Sequence, residues 1–411
     1  MDRTVFSRSF HLAWPIALAA CAADPPDGEP PTLDTVAKSA TCGNAVFDAT
    51  ELCVTNPGAP VIATTEQIVT VLAADVDGDP FNDVVAASAH RIWLRRGVAG
   101  GFGAQVALSL AGAIFSDVAV GDFNGDTLPD IAATDSFGSR VVVWRNLGGF
   151  AFAPWAAIGV AANPVRILAA RLNGDARSDL VVLSYGTHQA QVLLANGAPF
   201  AGPVAYAIGD AQDLALGDCN ADGRPDLLYA NGFGAAAQLR ARAVDMFGNF
   251  GAPIVSALPL VDAGLGPLQS LAIAAGRFDA DADDDAVVSA SSSRLAPMRS
   301  NGACSFTPTF MANTLPVTWA WTPARLRTVD WNGDTKLDLA APHGDPGSAG
   351  DQAYSIVPGS GAVTFAPYLV EPHTPGTVIP KDLAFTDVDG DGRLDVLVAA
   401  ATGVLLETRI P

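Results

Sequence analysis

A nine-residue acidic phrase returns seven times along this 411-residue chain, and its spacing points to a repeat architecture. The clearest copy runs Asp387-Val388-Asp389-Gly390-Asp391-Gly392-Arg393-Leu394-Asp395, with carboxylates at positions one, three, five and nine. The other copies begin at Asp75, Asp122, Arg171, Asp218, Arg277 and Asp330, so successive starts lie 47 to 59 residues apart. A unit of that length is one supersecondary element, which buries its apolar faces only against neighbouring copies.

Each unit reads as about four short strands. In the second, residues 114–120 alternate into Gly121-Asp122, the acidic loop follows, and residues 130–133 and 141–144 are apolar runs. A fourth, weaker segment lies near residues 152–158, after the Gly148-Gly149-Phe150 turn. Forty Gly and 29 Pro with only 16% charged residues suit many short strands joined by turns, and argue against long helices. Four-stranded antiparallel sheets repeated radially are the blades of a β-propeller, so the expected fold is all-β with seven blades over residues 58–411. The seventh unit stops after its third strand at Gly403-Val404-Leu405-Leu406-Glu407, while Pro60-Val61-Ile62-Ala63 stands where a fourth strand is missing. The N-terminal strand is therefore expected to complete the last blade and remove the unpaired edge.

Alternate carboxylates in a tight loop supply the oxygen ligands that Ca²⁺ takes, with Gly78, Gly125, Gly333 and Gly390 allowing the turn. An EF-hand needs Glu at its twelfth position, but that count reaches Ala86, Ala133 and Val398. Five repeats carry the full set and are the expected metal sites, about five in all. They are Asp75, Asp77, Asp79 and Asp83; Asp122, Asn124, Asp126 and Asp130; Asp218, Asn220, Asp222 and Asp226; Asp330, Asn332, Asp334 and Asp338; and Asp387, Asp389, Asp391 and Asp395. Two repeats place Arg171 or Arg277 in the first position. There the guanidinium is expected to bridge Asn173, Asp175 and Asp179, or Asp279, Asp281 and Asp285, without a metal. The bland alternative is a set of Asp-Gly turns that never meets a cation.

A net charge of −20 argues against nucleic acid or anionic lipid head groups as partners. Residues 1–20 read as an export signal: a short basic start, then an apolar stretch too short to span a bilayer. Residues 21–40 are Pro-rich and acidic, the composition of an extended tether.

The acidic loops with their flanking strands resemble the FG-GAP and VCBS repeat family, which is related to the head propeller of integrin α subunits. Compare Val120-Gly121-Asp122-Phe123-Asn124-Gly125-Asp126-Thr127-Leu128-Pro129-Asp130-Ile131 with Leu216-Gly217-Asp218-Cys219-Asn220-Ala221-Asp222-Gly223-Arg224-Pro225-Asp226-Leu227. Leu18-Ala19-Ala20-Cys21 resembles the lipobox of bacterial lipoproteins, which implies lipidation at Cys21 and anchoring to the outer membrane, at the cell surface or on its periplasmic face. The segment from Cys42 to Cys53, within residues 41–57, resembles a short Cys-bracketed repeat of myxobacterial-type surface proteins, with Ala45 departing from the usual Gly; a Cys42–Cys53 disulfide would suit an exported chain. Cys219 and Cys304 lie in different repeats and are expected to be buried thiols.

No nucleophile beside a base, Gly-rich phosphate cradle or zinc spacing is visible, so no catalytic or cofactor-binding residue is assigned. His90, His188 and His343 fall in connecting regions, and Trp319, Trp321 and Trp331 cluster near the sixth loop, where packing competes with an exposed binding surface. The leading expectation is a lipid-anchored, calcium-stabilised propeller that binds a protein or glycan at the cell surface. The alternative is an extracellular calcium-dependent carbohydrate-active enzyme of the polysaccharide lyase or hydrolase type, because calcium-bearing propellers occur there too. Carboxylates or histidines such as His343, Asp345 and Asp351 meeting in one deep pocket would favour that alternative. A purely structural envelope component is a third reading.

Overall fold

The computed structural model describes residues 60–196, 199–231, 237–258, 272–290, 294–309, 325–343, 353–365, 369–372 and 380–409. The segments assigned to export, tether and the Cys42–Cys53 motif lie outside them.

Seven four-stranded antiparallel sheets follow one another along the chain as a β-propeller. Blade one runs Ile68–Ala74, Asp83–Ser88, Ile92–Val98 and Gly101–Leu108 from the inner to the outer strand. Blade seven takes Asp382–Thr386, Asp395–Ala400 and Gly403–Glu407 from the end of the chain. Its outer strand is Ile62–Ala63, in register Ile62 with Val404 and Ala63 with Gly403. Among the described residues the only helical element is the single turn Tyr185–Thr187.

The second strand of each blade begins at the ninth position of the acidic loop. Asp83–Ser88, Asp130–Asp135, Asp179–Ser184, Asp226–Asn231 and Asp395–Ala400 are buried at every position. A strand covered on both faces reads as a continuous apolar run, which is why the repeats restart so abruptly after each loop. Outer strands such as Phe152–Gly159 have no fully buried residue and face solvent in part.

Seven apolar clusters fill the ring, each joining one blade to the next. Val85, Ile92 and Leu94 of blade one meet Phe115, Ile131 and Trp144 of blade two. Between blades seven and one, Ile62, Val71 and Val84 meet Leu397 and Ala399. Trp331 is buried in the cluster between blades six and seven, under Phe385 and the guanidinium of Arg409. Packing therefore accounts for it, while Trp319 and Trp321 lie outside the described residues.

One sequence expectation is corrected here. Cys219 and Cys304 are a disulfide with a Cα–Cα distance of 4.8 Å, not two thiols. The fourth acidic loop and the turn before the outer strand of blade five are adjacent, and Cys304 donates its backbone N–H to the Cys219 carbonyl at 3.2 Å. Contact between loops of neighbouring blades is a tertiary fact that the spacing of cysteines does not carry.

Candidate functional site

The acidic loops join inner to second strands and so share one face of the ring. Their ninth carboxylate is a buried clamp. In all seven blades its Oδ1 accepts a backbone N–H from the end of the third strand or just beyond it: Gly97, Asn146, Ala195, Val244, Ser300, Gly359 or Arg409, at 2.7–2.8 Å. In six blades Oδ2 accepts the N–H of the loop's second residue, from Val76 at 2.8 Å to Phe123 and Cys219 at 3.2 Å. Burial pushes this carboxyl up in every blade, to about 6 for Asp83 and Asp130 and to about 7 for Asp226 and Asp285, despite the hydrogen bonds.

The first carboxylate shapes the turn. Asp122 accepts from Gly125 at 2.7 Å and Thr127 at 2.9 Å, and Asp387 does the same with Gly390 and Gly392. The fourth position of these turns is left-handed, at Gly78, Gly125, Gly333 and Gly390, and in the fourth loop Ala221 takes that strain at φ 57°. Asp75, Asp77 and Asp83 bring ligand oxygens within 4.8 Å of one another, and so do Asp387, Asp389 and Asp395. Convergent hard oxygen donors of this kind are a donor set that fits Ca²⁺. Asp79 and Asp391 stand beside these trios; the sets at Asp122–Asp130, Asp218–Asp226 and Asp330–Asp338 are brought into the same kind of loop.

The arginines expected to replace the metal are not the ones that reach the acids. Arg171 and Arg277 are exposed. In blade five Arg299, from the third strand, pairs with Asp279 at 2.8 Å and Asp281 at 3.0 Å. In blade three Arg177 lies 3.8 Å from Asp175. In blade three the reaching arginine is in the loop itself, six residues after Arg171, whereas in blade five it is on the third strand, 22 residues after Arg277.

A second polar set was missed altogether. Five residues before each acidic loop, the inner strands or their leading residues place Thr70, Asp117, Arg166, Asp213, Ala272, Arg325 and Asp382. In blades one to three a bulge immediately precedes this position and re-aims the side chain. Arg325 of blade six reaches Asp117 of blade two at 2.9 Å, Asp382 of blade seven at 3.4 Å and Thr70 of blade one at 2.7 Å. Arg166 pairs with Asp213 at 2.8 Å, and Arg327 with Asp382 at 2.5 Å. Burial alone would raise the Asp382 carboxyl, but Arg327 and Arg325 hold it at about 2. Asp117, Asp213 and Asp382 also accept the N–H of Ile167, Ile273 and Val71, each on the next blade. Side chains from six blades thus close the bore at this level. A fixed offset of five residues before the repeat is the signal that would have found them.

On the face opposite the acidic loops, blades one and two form a cleft of about 620 Å³, lined by His90, Arg91, residues 109–114 and Phe137. Phe137 is 77% exposed. Arg91 is held by Glu66 at 2.7 Å and lies over the Trp93 ring, while His90 Nδ1 sits 3.4 Å from the Ala113 carbonyl. His188 faces Asp210 at 3.8 Å in blade three. These two histidines therefore have separate partners; the His343 side chain, Asp345 and Asp351 are outside the described residues. The cleft can offer an aromatic face, a guanidinium and main-chain groups to one ligand.

The family model for the FG-GAP-like repeat matches residues 75–133 and 122–182, each window running from one acidic loop to the second strand of the next blade. Residues 75–182 carry FG-GAP-like repeats. Comparison with curated proteins gave no match. Among solved structures, these repeats and their blades are similar to BBS1N in complex with ARL6DN, at 13% identity and TM-score 0.57, covering 87% of this chain and 97% of that one. They are similar to the BP39L lectin from Burkholderia pseudomallei, at 18% and 0.62, covering 83% and 95%. They are also similar to virginiamycin B lyase from Staphylococcus aureus, at 10% and 0.55, covering 88% and 99%. At these identities the likeness is one of fold.

Proposed function

We propose that this chain is an exported binding module, its acidic loops held by calcium, that takes a glycan in the cleft between blades one and two. The observation that carries this reading is the pairing of a filled bore with an open cleft on the other face. Arg325 and its partners occupy the axis, so a ligand has room at the blade junction instead, beside Phe137 and Arg91. An exposed aromatic ring suits the apolar face of a sugar, and a fixed guanidinium and main-chain carbonyls suit its hydroxyls. Both a lectin and a protein-binding propeller are among the similar folds, so the choice of a glycan rests on the exposed ring and the fixed guanidinium. Lipidation at Cys21 and display at the cell envelope belong to the same reading.

Glycan-array binding of the mature chain tests it. The expected result is a defined set of bound glycans, with affinity falling at least tenfold in Phe137→Ala while the unfolding midpoint is unchanged. Binding that ignores Phe137→Ala removes the cleft from the reading, and a bound glycan that is cleaved on incubation moves the protein to the carbohydrate-active enzymes.

A further inference from the structure

Blades one and five share a contact that no other blade makes among the described residues. Arg96, on the third strand Ile92–Val98, pairs through Nε with Asp77 and through an amino nitrogen with Asp79 at 3.1 Å. Arg299, on the third strand Arg294–Ser300, pairs with Asp279 and Asp281. The register is the same in both. Each arginine directly precedes the residue, Gly97 or Ser300, whose N–H clamps the ninth carboxylate. Each also bridges loop positions three and five. Of the acids it reaches, those at position three are buried, Asp77 at 2% and Asp279 at 7% exposed, while Asp79, Asp281 and the guanidiniums themselves lie toward solvent.

The other blades explain why the device appears twice. Position three is Asn124, Asn173, Asn220 and Asn332 in blades two, three, four and six, which leaves one carboxylate fewer for a fork to bridge. Arg145 of blade two occupies the same third-strand register as Arg96, but position three of its loop is Asn124, whose amide donates to Asp126 at 2.9 Å. Blade seven has Asp389 and Asp391 but Thr408 in that register. Where acids stand at both positions and an arginine faces them, the chain supplies its own cation.

We infer that Arg96 and Arg299 take the place of the metal in loops one and five, so that Ca²⁺ is held by loops two, four, six and seven alone. Loop one nonetheless keeps all four carboxylates, Asp75, Asp77, Asp79 and Asp83, and is a metal site closed by one side chain. Loop five lacks the first carboxylate. The inference rests on the calcium reading above, and the test separates the two.

The experiment is calcium titration of the full mature chain by calorimetry, paired with thermal unfolding in chelator, for the wild type, Arg96→Met, Arg96→Lys and Arg145→Met. Arg96→Met is expected to bind one more ion than wild type, to unfold at lower temperature in chelator, and to recover with calcium. Adding Asp75→Asn should abolish the extra ion. Arg145→Met should match wild type, and Arg96→Lys, which keeps the charge, should gain no ion and remain folded if Arg96→Met does not. Equal stoichiometry in wild type and Arg96→Met overturns the inference whatever the wild-type count. A wild-type count of zero with one ion gained in Arg96→Met overturns the calcium reading of the open loops, and with it their part in the inference, while the exchange of Arg96 for a metal in loop one stands.

Discussion

Glu407 is a single buried acid whose charge state the fold sets. Burial pushes its carboxyl up to about 7, although the Tyr354 hydroxyl donates to Oε2 at 2.7 Å. A carboxyl raised in the folded state contributes stability that is fully present below its unfolded value near 4.5 and is lost as pH rises through about 7. Glu407→Gln should therefore reduce the fall of stability with pH between about pH 4.5 and 7, measured by urea unfolding at a series of pH values. An unchanged slope would place the proton elsewhere. Asp382 behaves in the opposite sense: with its carboxyl held at about 2, its contribution persists through neutral pH and is lost only in strong acid.

At the scale of strands, the inner strands do two jobs at fixed offsets. Their ends deliver the acidic loops, and the residue five positions earlier builds the bore. Arg325 compensates Asp117 and Asp382 at once; Arg325→Leu leaves Asp382 with Arg327 but leaves buried Asp117 with only Arg166, at 3.5 Å. Removing one partner of a buried ion pair costs roughly 3–5 kcal/mol. Chemical denaturation should find a loss of that size, largely restored by adding Asp117→Asn; a loss under about 1 kcal/mol would mean water fills the bore without penalty. The acidic phrase and the apolar runs were legible because they repeat along the chain. The residues at Arg166, Asp213 and Arg325 were not, because their partners lie on other blades and their types differ from copy to copy. Arg96 and Arg299 were hidden for a related reason: each meets its loop only after the third strand has folded back. The Cys219–Cys304 bond likewise depends on two loops from different blades meeting.

For the whole molecule, seven apolar clusters close into a ring while a net charge of −20 pushes outward, much of it in the loops of one face. Calcium in those loops, as proposed, would offset that repulsion. Calcium at a hundredfold excess over its dissociation constant stabilises by about 2.7 kcal/mol per independent site, so chelation should lower the urea midpoint markedly. A midpoint that ignores chelator would leave the loops as turns held only by their own hydrogen bonds.

The ring is completed by a very short strand. Ile62 and Ala63 pair with Val404 and Gly403, Val61 donates to the Val404 carbonyl at 2.8 Å, and the Val61 carbonyl accepts from Arg95 of blade one at 2.8 Å. Everything before residue 60 therefore enters the propeller at the outer edge of blade seven. A pull applied through that segment does not spread over seven blades; it falls on these few hydrogen bonds, which would break in succession like the teeth of a zip. The seam that makes the ring complete is thus also where tension would first act, at the junction of blades seven and one.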